Sequence, residues 1–401
     1  DGIRDTSRGL VGSEMCIRDR YGCNPQQAYA SIEPVDAGSE PIRVVNGAPG
    51  YINLLDALNA WQLVREARAA LGLPAAASFK HVSPAGAAVA VPLPDDLRQA
   101  YEVEGAELTP AATAYVRARG ADPKSSFGDF VALSDTVDEA TALFLRGVIS
   151  DGIIAPGYEP AAAEILGAKK GGKFLLLQAD ADYEPPARES RDLYGMRLVQ
   201  DRNAVPVTMD HLREVVCGEL SAEAKRDLVL GLIAIKYTQS NSVGYALDGQ
   251  MIGIGAGQQS RVDCTRLAGS KADVWHLQRH PKVLGLRFRE GVKRQERINW
   301  RVRYIEGDLT TQEQQAFARD VEGDPAPLTD AERKDWIGGL DGVCLVSDGF
   351  LPFRDNIDHA SRHGVKYIAQ PGGSTRDADV TAACREYGIA MAHTHLRLFH
   401  H

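Results

Sequence analysis

Lys80 and His81 are adjacent residues at the end of an apolar run, AAASFKHV, that spans residues 75–82. We predict a strand there, ended by the following Ser-Pro-Ala-Gly. Side chains of neighbouring strand residues point to opposite faces, so the pair could serve one site only at a strand end or a bulge. A lysine beside a histidine disfavours the imidazolium, which leaves the imidazole able to accept a proton near neutral pH. The pair would then supply a base and a cation for an oxyanion, although most Lys-His dipeptides have no such role.

A second candidate is the glycine-rich run GIGAGQQSR, which ends at Arg261. Glycines let a backbone approach a ligand closely, and the run reaches its arginine at a predicted helix start. It lacks the spacing of a dinucleotide fingerprint and of a P-loop. A ligand-binding loop and a structural hairpin both remain open. We interpret KKGGK at residues 169–173 as a solvated loop.

Alternating strand-like and helix-like segments position these residues. Asn53 is predicted to cap a helix that ends at Gly72, and a hairpin with an Asp-Gly turn is predicted over residues 242–255. Such alternation favours an α/β fold with sheets covered by helices. Ser-Asp-Gly at 150–152 and at 347–349 is expected to end an apolar, strand-like run each time and to precede a helix. This repeat is consistent with an internal duplication, or simply with good turn chemistry.

Composition excludes several classes of protein. The chain has 401 residues and a formal net charge of −9, which argues against general nucleic-acid binding. Its six cysteines form no C-x-x-C pair, so neither a disulfide framework nor a structural zinc site is expected. No apolar run approaches the roughly 20 residues that span a bilayer. We expect a cytosolic enzyme that contacts neither nucleic acid nor membrane.

The first nineteen residues, DGIRDTSRGLVGSEMCIRD, lack periodicity and are similar to translated sequencing-adapter read-through. We expect residues 1–19 to be non-native and exclude them from the fold. Residues 179–195 are polar and contain prolines, which makes them the best candidate for a linker.

Nine segments, taken together in this order, resemble one family. They are RYGCNPQQ, NGAPGYINLLDALNAWQ, SFKHVSPAGAA, SSFGDFVALSD, VISDGIIAPGYE, KYTQSNSV, GIGAGQQSRVDCTRLAG, SDGFLPFRDN and LRLFHH. The chain from Tyr21 to His401 resembles the formyltransferase part of the bifunctional enzymes that join aminoimidazole carboxamide ribonucleotide (AICAR) transformylase to IMP cyclohydrolase, and most of all the animal-type branch. One departure is Gln26, where that family usually has histidine.

The resemblance implies transfer of a formyl group from 10-formyltetrahydrofolate, the co-substrate, to the 5-amino group of AICAR. It implies that His81 is the general base, that Lys80 stabilises the transition state and that Asn241 orients the reacting groups. No transition metal is implied, and a monovalent cation is left open.

The resemblance also implies two sets of binding residues. Those for AICAR are Arg20, Tyr21, Gly128, Asp151, Asn241, Arg261 and Arg397. Those for folate are Val262, Phe350, Asp355, Ser374 and Thr375.

The implied fold has two cytidine-deaminase-like lobes without zinc, at residues 20–195 and 196–401. The resemblance also implies active sites that are shared across a homodimer, and we expect the chain to lack the cyclohydrolase domain. An alternative is a truncated nucleotide-binding dimer without turnover. A zinc deaminase is disfavoured because H-x-E and P-C-x-x-C are missing.

Overall fold

The structure, a computed structural model, describes residues 21–401. Strands and helices alternate over most of this part of the chain, as predicted from the sequence. The strands within it are β1 (Ile42–Asn46), β2 (Ala75–Lys80), β3 (Ser83–Val89), β4 (Asp129–Leu133), β5 (Ser150–Ala155), β6 (Leu175–Ala179), β7 (Arg188–Leu193), β8 (Met196–Asp201), β9 (Glu214–Cys217), β10 (Val243–Leu247), β11 (Gln250–Gly255), β12 (Val343–Ser347), β13 (Val365–Gln370) and β14 (Ala390–His393).

The helices of the described residues vary from one turn to six. They are α1 (Tyr51–Leu71), α2 (Asp95–Ala100), α3 (Pro110–Ala121), α4 (Glu139–Arg146), α5 (Pro160–Gly167), α6 (Lys169–Gly172), α7 (Ala222–Lys236), α8 (Arg261–Leu277), α9 (Pro281–Leu284), α10 (Arg294–Glu306), α11 (Thr311–Asp320), α12 (Asp330–Ile337), α13 (Asp355–Ala360) and α14 (Asp377–Glu386). None of these helices combines the length and the apolar character needed to cross a membrane.

Twelve of the strands form one mixed sheet, in the order β1-β6-β5-β4-β2-β3-β11-β10-β12-β13-β14-β9. The remaining two, β7 and β8, form a separate antiparallel pair. The α/β class and the helix-covered sheet that the sequence predicts are therefore confirmed.

The large sheet consists of two halves with the same topology, which meet where β3 pairs with β11. Read from that junction outwards, β3-β2-β4-β5-β6-β1 in the first half corresponds to β11-β10-β12-β13-β14-β9 in the second. The antiparallel and parallel pairings also occur in the same sequence in both halves. Within each half, α1 and α7 occupy equivalent places before the central hairpin. This correspondence is what a duplicated unit would produce.

The Ser-Asp-Gly repeat does not mark equivalent positions in the two halves. Ser150 begins β5, whereas Ser347 ends β12, so the expectation that both triplets end a strand is wrong for the first. The topological counterpart of Ser347-Asp348 is Ser134-Asp135, directly after β4. The sequence signal was misleading because Ser-Asp-Gly suits the start of a strand as well as its end.

Helices cover both faces of the sheet. On one face α1 packs against Ala77 and Phe79 of β2, and α7 lies beside α1 and packs against β10 and β12. On the other face α3 packs against the first half, where it contacts Ala76, and α8 packs against the second. Because successive strand residues point to opposite faces, β2 is buried between these two layers.

Two local predictions are corrected by the structure. Helix α1 begins at Tyr51 after Gly50, and Asn53 accepts a hydrogen bond from the Gly50 amide instead of occupying the cap position itself. The predicted strand 75–82 ends at Lys80, and Ser83-Pro-Ala-Gly does not end it but opens the next strand, β3. The hairpin of β10 and β11, with its Asp-Gly turn, is confirmed.

The β7–β8 hairpin lies between the last strand of the first half, β6, and the first strand of the second half, β9. The predicted boundary between residues 195 and 196 lies in the turn of this hairpin, where Tyr194 and Gly195 have positive φ angles. All twelve strand residues of the hairpin are exposed.

Candidate active site

Lys80 and His81 lie at the point where β2 turns into β3. Lys80 pairs with Ser83, so the turn between them has only two residues, His81 and Val82. Both have left-handed backbone angles, with φ of 53° and 59°. Positive φ at both central positions is the signature of a type I′ turn. Lys80 is thus the last residue of its strand, and the His81 side chain is exposed on the turn.

The Lys80 ammonium group contacts Gly128, a further predicted site residue, and a second one, Asp151, lies close to Gly128. Lys80 Nζ donates a hydrogen bond of 2.9 Å to the backbone oxygen of Gly128. Gly128 has a φ of 70°, and a Cβ atom at this position would lie 3.2 Å from Lys80 Nζ and 3.9 Å from Asp151 Oδ2. Asp151 accepts a hydrogen bond of 2.8 Å from Lys170 Nζ. Lys80, Gly128, Asp151 and Lys170 form a first cluster at the end of β2 and the starts of β4 and β5.

A second cluster is centred on Arg261, the first residue of α8. Its Nη2 donates to Asn241 Oδ1 at 2.9 Å, and its Nη1 forms an ion pair with Asp348. The Asp348 carboxylate is fully buried and also accepts hydrogen bonds from Ser240 Oγ (2.6 Å) and from the Ser242 amide (2.9 Å). Two of the residues predicted to bind AICAR, Arg261 and Asn241, are therefore in direct contact.

The C-terminal segment packs against this second cluster. The Leu398 amide donates to the Asp348 backbone oxygen at 2.9 Å, and the His400 amide donates to Ser240 Oγ at 3.0 Å. Arg397 is exposed, and its guanidinium lies 4.9 Å from the centre of the Phe399 ring. The segment that carries the exposed Arg397 is thus fixed to Asp348 and Ser240 of the second cluster.

The residues predicted to bind folate follow neighbouring strand ends. Phe350 comes after β12 and is 47% exposed, while Ser374 and Thr375 come after β13. Asp355 is the first residue of α13, and Val262 lies in the first turn of α8. Since β12 and β13 are parallel, their carboxyl ends lie at one edge of the sheet, which is where open α/β sheets bind ligands.

Strand direction places both clusters on the same edge of the large sheet. The end of β2, the start of β10 and the end of β12 all reach this edge through successive antiparallel pairings. A hydrogen bond of 3.3 Å from the Gln239 amide to Ser83 Oγ links the neighbour of Ser240 in the second cluster to the strand partner of Lys80 in the first. Tyr21 has no hydrogen bond to either cluster within the described part of the chain, and Arg20 lies outside it.

The structure explains two of the glycines in the run before Arg261 by packing. A Cβ atom on Gly253 would lie 2.1 Å from the Ala268 oxygen, and one on Gly255 would lie 2.4 Å from the Cys264 oxygen. These glycines therefore allow α8 to lie directly on β11. Gly257, with a φ of 66° and open space beside it, is the glycine that remains available for a ligand.

No metal site accompanies the two clusters in residues 21–401. In this range no three histidine, cysteine, aspartate or glutamate side chains are grouped so that they could hold a metal ion.

Comparison with known proteins identifies the family. The model of the AICARFT/IMPCHase bienzyme family matches residues 12–271. The chain belongs to this family. Among curated proteins, the bifunctional purine biosynthesis protein PurH of Roseobacter denitrificans is 32% identical over 98% of this chain and 61% of its own length. PurH of Magnetococcus marinus is 30% identical over 95% of the chain and 59% of its own length. The chain thus spans about three-fifths of the relatives that it matches.

Three residues of this AICARFT/IMPCHase family member were missed as site candidates from the sequence alone. Asp348 and Ser240 hold Arg261 and the C-terminal segment, and Lys170 pairs with Asp151. The interpretation of residues 169–173 as a solvated loop is thus incomplete. Burial and the neighbouring charge of Lys170 lower the pKa of Lys169 to about 8, which also separates this segment from an ordinary surface loop.

Proposed function

We propose that this protein transfers the formyl group of 10-formyltetrahydrofolate to the 5-amino group of AICAR and yields formyl-AICAR for IMP biosynthesis. The observation that carries the proposal is the Lys80-His81 turn, which lies on the same sheet edge as the Arg261–Asn241 pair. Membership of the AICARFT/IMPCHase family and the PurH names of the relatives support it.

His81 acts as the general base in this proposal. The AICAR amine is a poor nucleophile because its lone pair is delocalised into the ring, so a base must take its proton as the nitrogen attacks the formyl carbon. An exposed imidazole on a tight turn can reach such a substrate without moving a strand. The C–N bond to the folate then breaks, and the departing folate nitrogen takes up a proton.

Lys80 stabilises the oxyanion of the tetrahedral intermediate. A lysine ammonium has three hydrogen-bond donors, and the Gly128 oxygen accepts one of them. This bond fixes the position of the cation before the substrate arrives, so less reorganisation is needed during the reaction. Asn241 orients the reacting groups from the second cluster.

The AICAR phosphate is proposed to meet Arg397. The charge of Arg261 is already balanced by Asp348, whereas Arg397 is exposed and has no carboxylate partner among the described residues. A forked guanidinium suits phosphate oxygens. Arg261 would add a hydrogen-bond donor to the nucleotide, and Gly128, Asp151, Tyr21 and Arg20 complete the proposed set.

The folate is proposed to lie against the exposed ring of Phe350, which offers a flat apolar face to an aromatic ligand. Val262, Asp355, Ser374 and Thr375 would complete this side of the site. We further propose a cytosolic homodimer of two-lobed protomers (20–195 and 196–401) whose active sites are shared between the subunits. The proposal is confined to formyl transfer.

The test is to incubate the protein with AICAR and 10-formyltetrahydrofolate and to measure formyl-AICAR by mass spectrometry and tetrahydrofolate by absorbance. Reactions without AICAR are the control, and sedimentation reports the oligomeric state. We expect equal amounts of the two products. AICAR binding in a calorimeter without any product would instead favour a nucleotide-binding dimer without turnover.

A further inference from the structure

The turn that carries His81 has an unfavourable backbone conformation. Type I′ turns are normally built from Asn-Gly, Asp-Gly or Gly-Gly because both central residues need positive φ. Here the two positions are histidine and valine, at 53° and 59°. A β-branched residue in the left-handed region is a true outlier. Such a conformation persists only where surrounding structure imposes it.

The surrounding structure supplies a buried carboxylate. Asp56 is the sixth residue of α1 and is only 7% exposed. Its Oδ1 accepts a hydrogen bond of 2.6 Å from the amide of Val82. Burial raises the pKa of Asp56 above its ordinary value. The hydrogen bond from Val82 and the charges of His81 and Lys80 offset only part of this rise. A carboxylate in the apolar layer beneath the sheet is costly unless it is bonded in this way.

The second half of the sheet contains the same arrangement. Asp227 is the sixth residue of α7, is 2% exposed, and accepts a hydrogen bond of 2.7 Å from the amide of Gly249. Gly249 is the second residue of the β10–β11 turn, as Val82 is of the β2–β3 turn. There the turn is Asp248-Gly249, which adopts positive φ readily. The two turns lie at opposite edges of the sheet, so only the first one faces the candidate site.

We propose that Asp56 is a positioning residue that holds the left-handed His81-Val82 turn and thereby directs His81 into the transformylase site. This inference rests on the proposed function. In the second half Gly249 adopts positive φ without strain, so the turn is stabilised both by this glycine and by Asp227. In the first half no glycine is present, and Asp56 carries the turn. His81 therefore depends on a residue that contacts no substrate.

The test compares four variants for kcat, the AICAR Kd and thermal stability. Asp56→Ala is expected to lower kcat by about 10²-fold, the effect of a small misplacement of a catalytic group, with the AICAR Kd nearly unchanged. Asp56→Asn keeps an acceptor for the Val82 amide and is expected to retain most of kcat. Asp227→Ala is the matched control, which removes the same device from the other turn and is expected to lower stability without lowering kcat.

The decisive variant is Asp56→Ala combined with Val82→Gly. Glycine adopts positive φ without strain, so it should restore the turn and recover most of the lost kcat. A purely structural role for Asp56 would not be rescued by a change in the turn. No recovery in the double variant, or an equal loss of kcat in Asp227→Ala, would overturn the proposal.

Hydrogen exchange of the peptide that spans residues 79–84 separates this proposal from the proposed function. We expect faster exchange at this peptide in Asp56→Ala and a return towards the wild-type rate in the double variant. If the wild-type protein made no formyl-AICAR but showed this exchange pattern, the function would fail while the control of the turn by Asp56 would stand. Unchanged exchange in Asp56→Ala would refute that control, whatever the activity.

Discussion

Arg261→Ala tests whether Arg261 stabilises the fold through its ion pair with Asp348 or serves only to bind a ligand. The Arg261 side chain is 8% exposed and its partner Asp348 is fully buried. Removing one member of a buried ion pair typically costs about 3–5 kcal/mol, because the other charge is left without a partner. Asp348 keeps its hydrogen bonds from Ser240 and Ser242, so we expect the lower end of that range. A loss of about 3 kcal/mol would shift the unfolding equilibrium by roughly a hundredfold.

Urea unfolding, followed by tryptophan fluorescence, measures this loss directly. The same substitution in an Asp348→Asn background should cost much less, because a neutral amide needs no counter-charge. Arg397→Ala is the control, since an exposed arginine should change stability by no more than about 0.5 kcal/mol. An Arg261→Ala protein with the stability of wild type would refute the structural role, and the arginine would then have to be regarded as a ligand group alone.

Three further predictions concern substitutions of single residues. Gly128→Ala should lower the free energy of unfolding by about 1–2 kcal/mol, because φ is positive at this position. The added Cβ should also displace the Lys80 ammonium group and so reduce kcat. Urea unfolding and steady-state rates measure the two effects. Burial and the charge of Arg279 lower the pKa of His276 to about 4, below its value of about 6.5 in the unfolded chain, so this residue removes stability as the pH falls from 6.5 towards 4. His276→Gln should therefore flatten the dependence of melting temperature on pH in that window, and an unchanged profile would contradict the prediction. Arg397→Ala should weaken AICAR binding in a calorimeter without changing the melting temperature, and an unchanged Kd would remove Arg397 from the site.

The contrast between the two hairpin turns shows what the sequence could predict. The turn at Asp248-Gly249 was predicted correctly because its residues are themselves the signal for positive φ. The turn at His81-Val82 was missed, and the strand was extended through it, because neither residue favours that conformation. Its support comes from Asp56, which is 26 residues away in the sequence and contacts the turn only in the folded protein. Local patterns cannot reveal such a turn.

The same limit applies to charged site residues. The resemblance to the transformylases selected Arg261, and its place at the start of α8 agrees with the predicted helix start. What the sequence did not show is that Asp348 neutralises this arginine, since the two are brought together only by the pairing of β10 with β12. Helix starts such as those at Asp138 and Ser221 can be found from sequence, because each capping side chain accepts a hydrogen bond from an amide only three residues further on.

The central claim is that His81 is the base for formyl transfer, and its most direct test compares turnover with binding in His81→Ala. The rate of formyl-AICAR formation is measured beside the AICAR Kd for wild type and variant under the same conditions. We predict that kcat falls by about 10²–10⁴-fold, the usual contribution of a general base, while the Kd stays within about twofold. A variant that keeps its rate, or one that loses rate and binding equally, would contradict this role for His81.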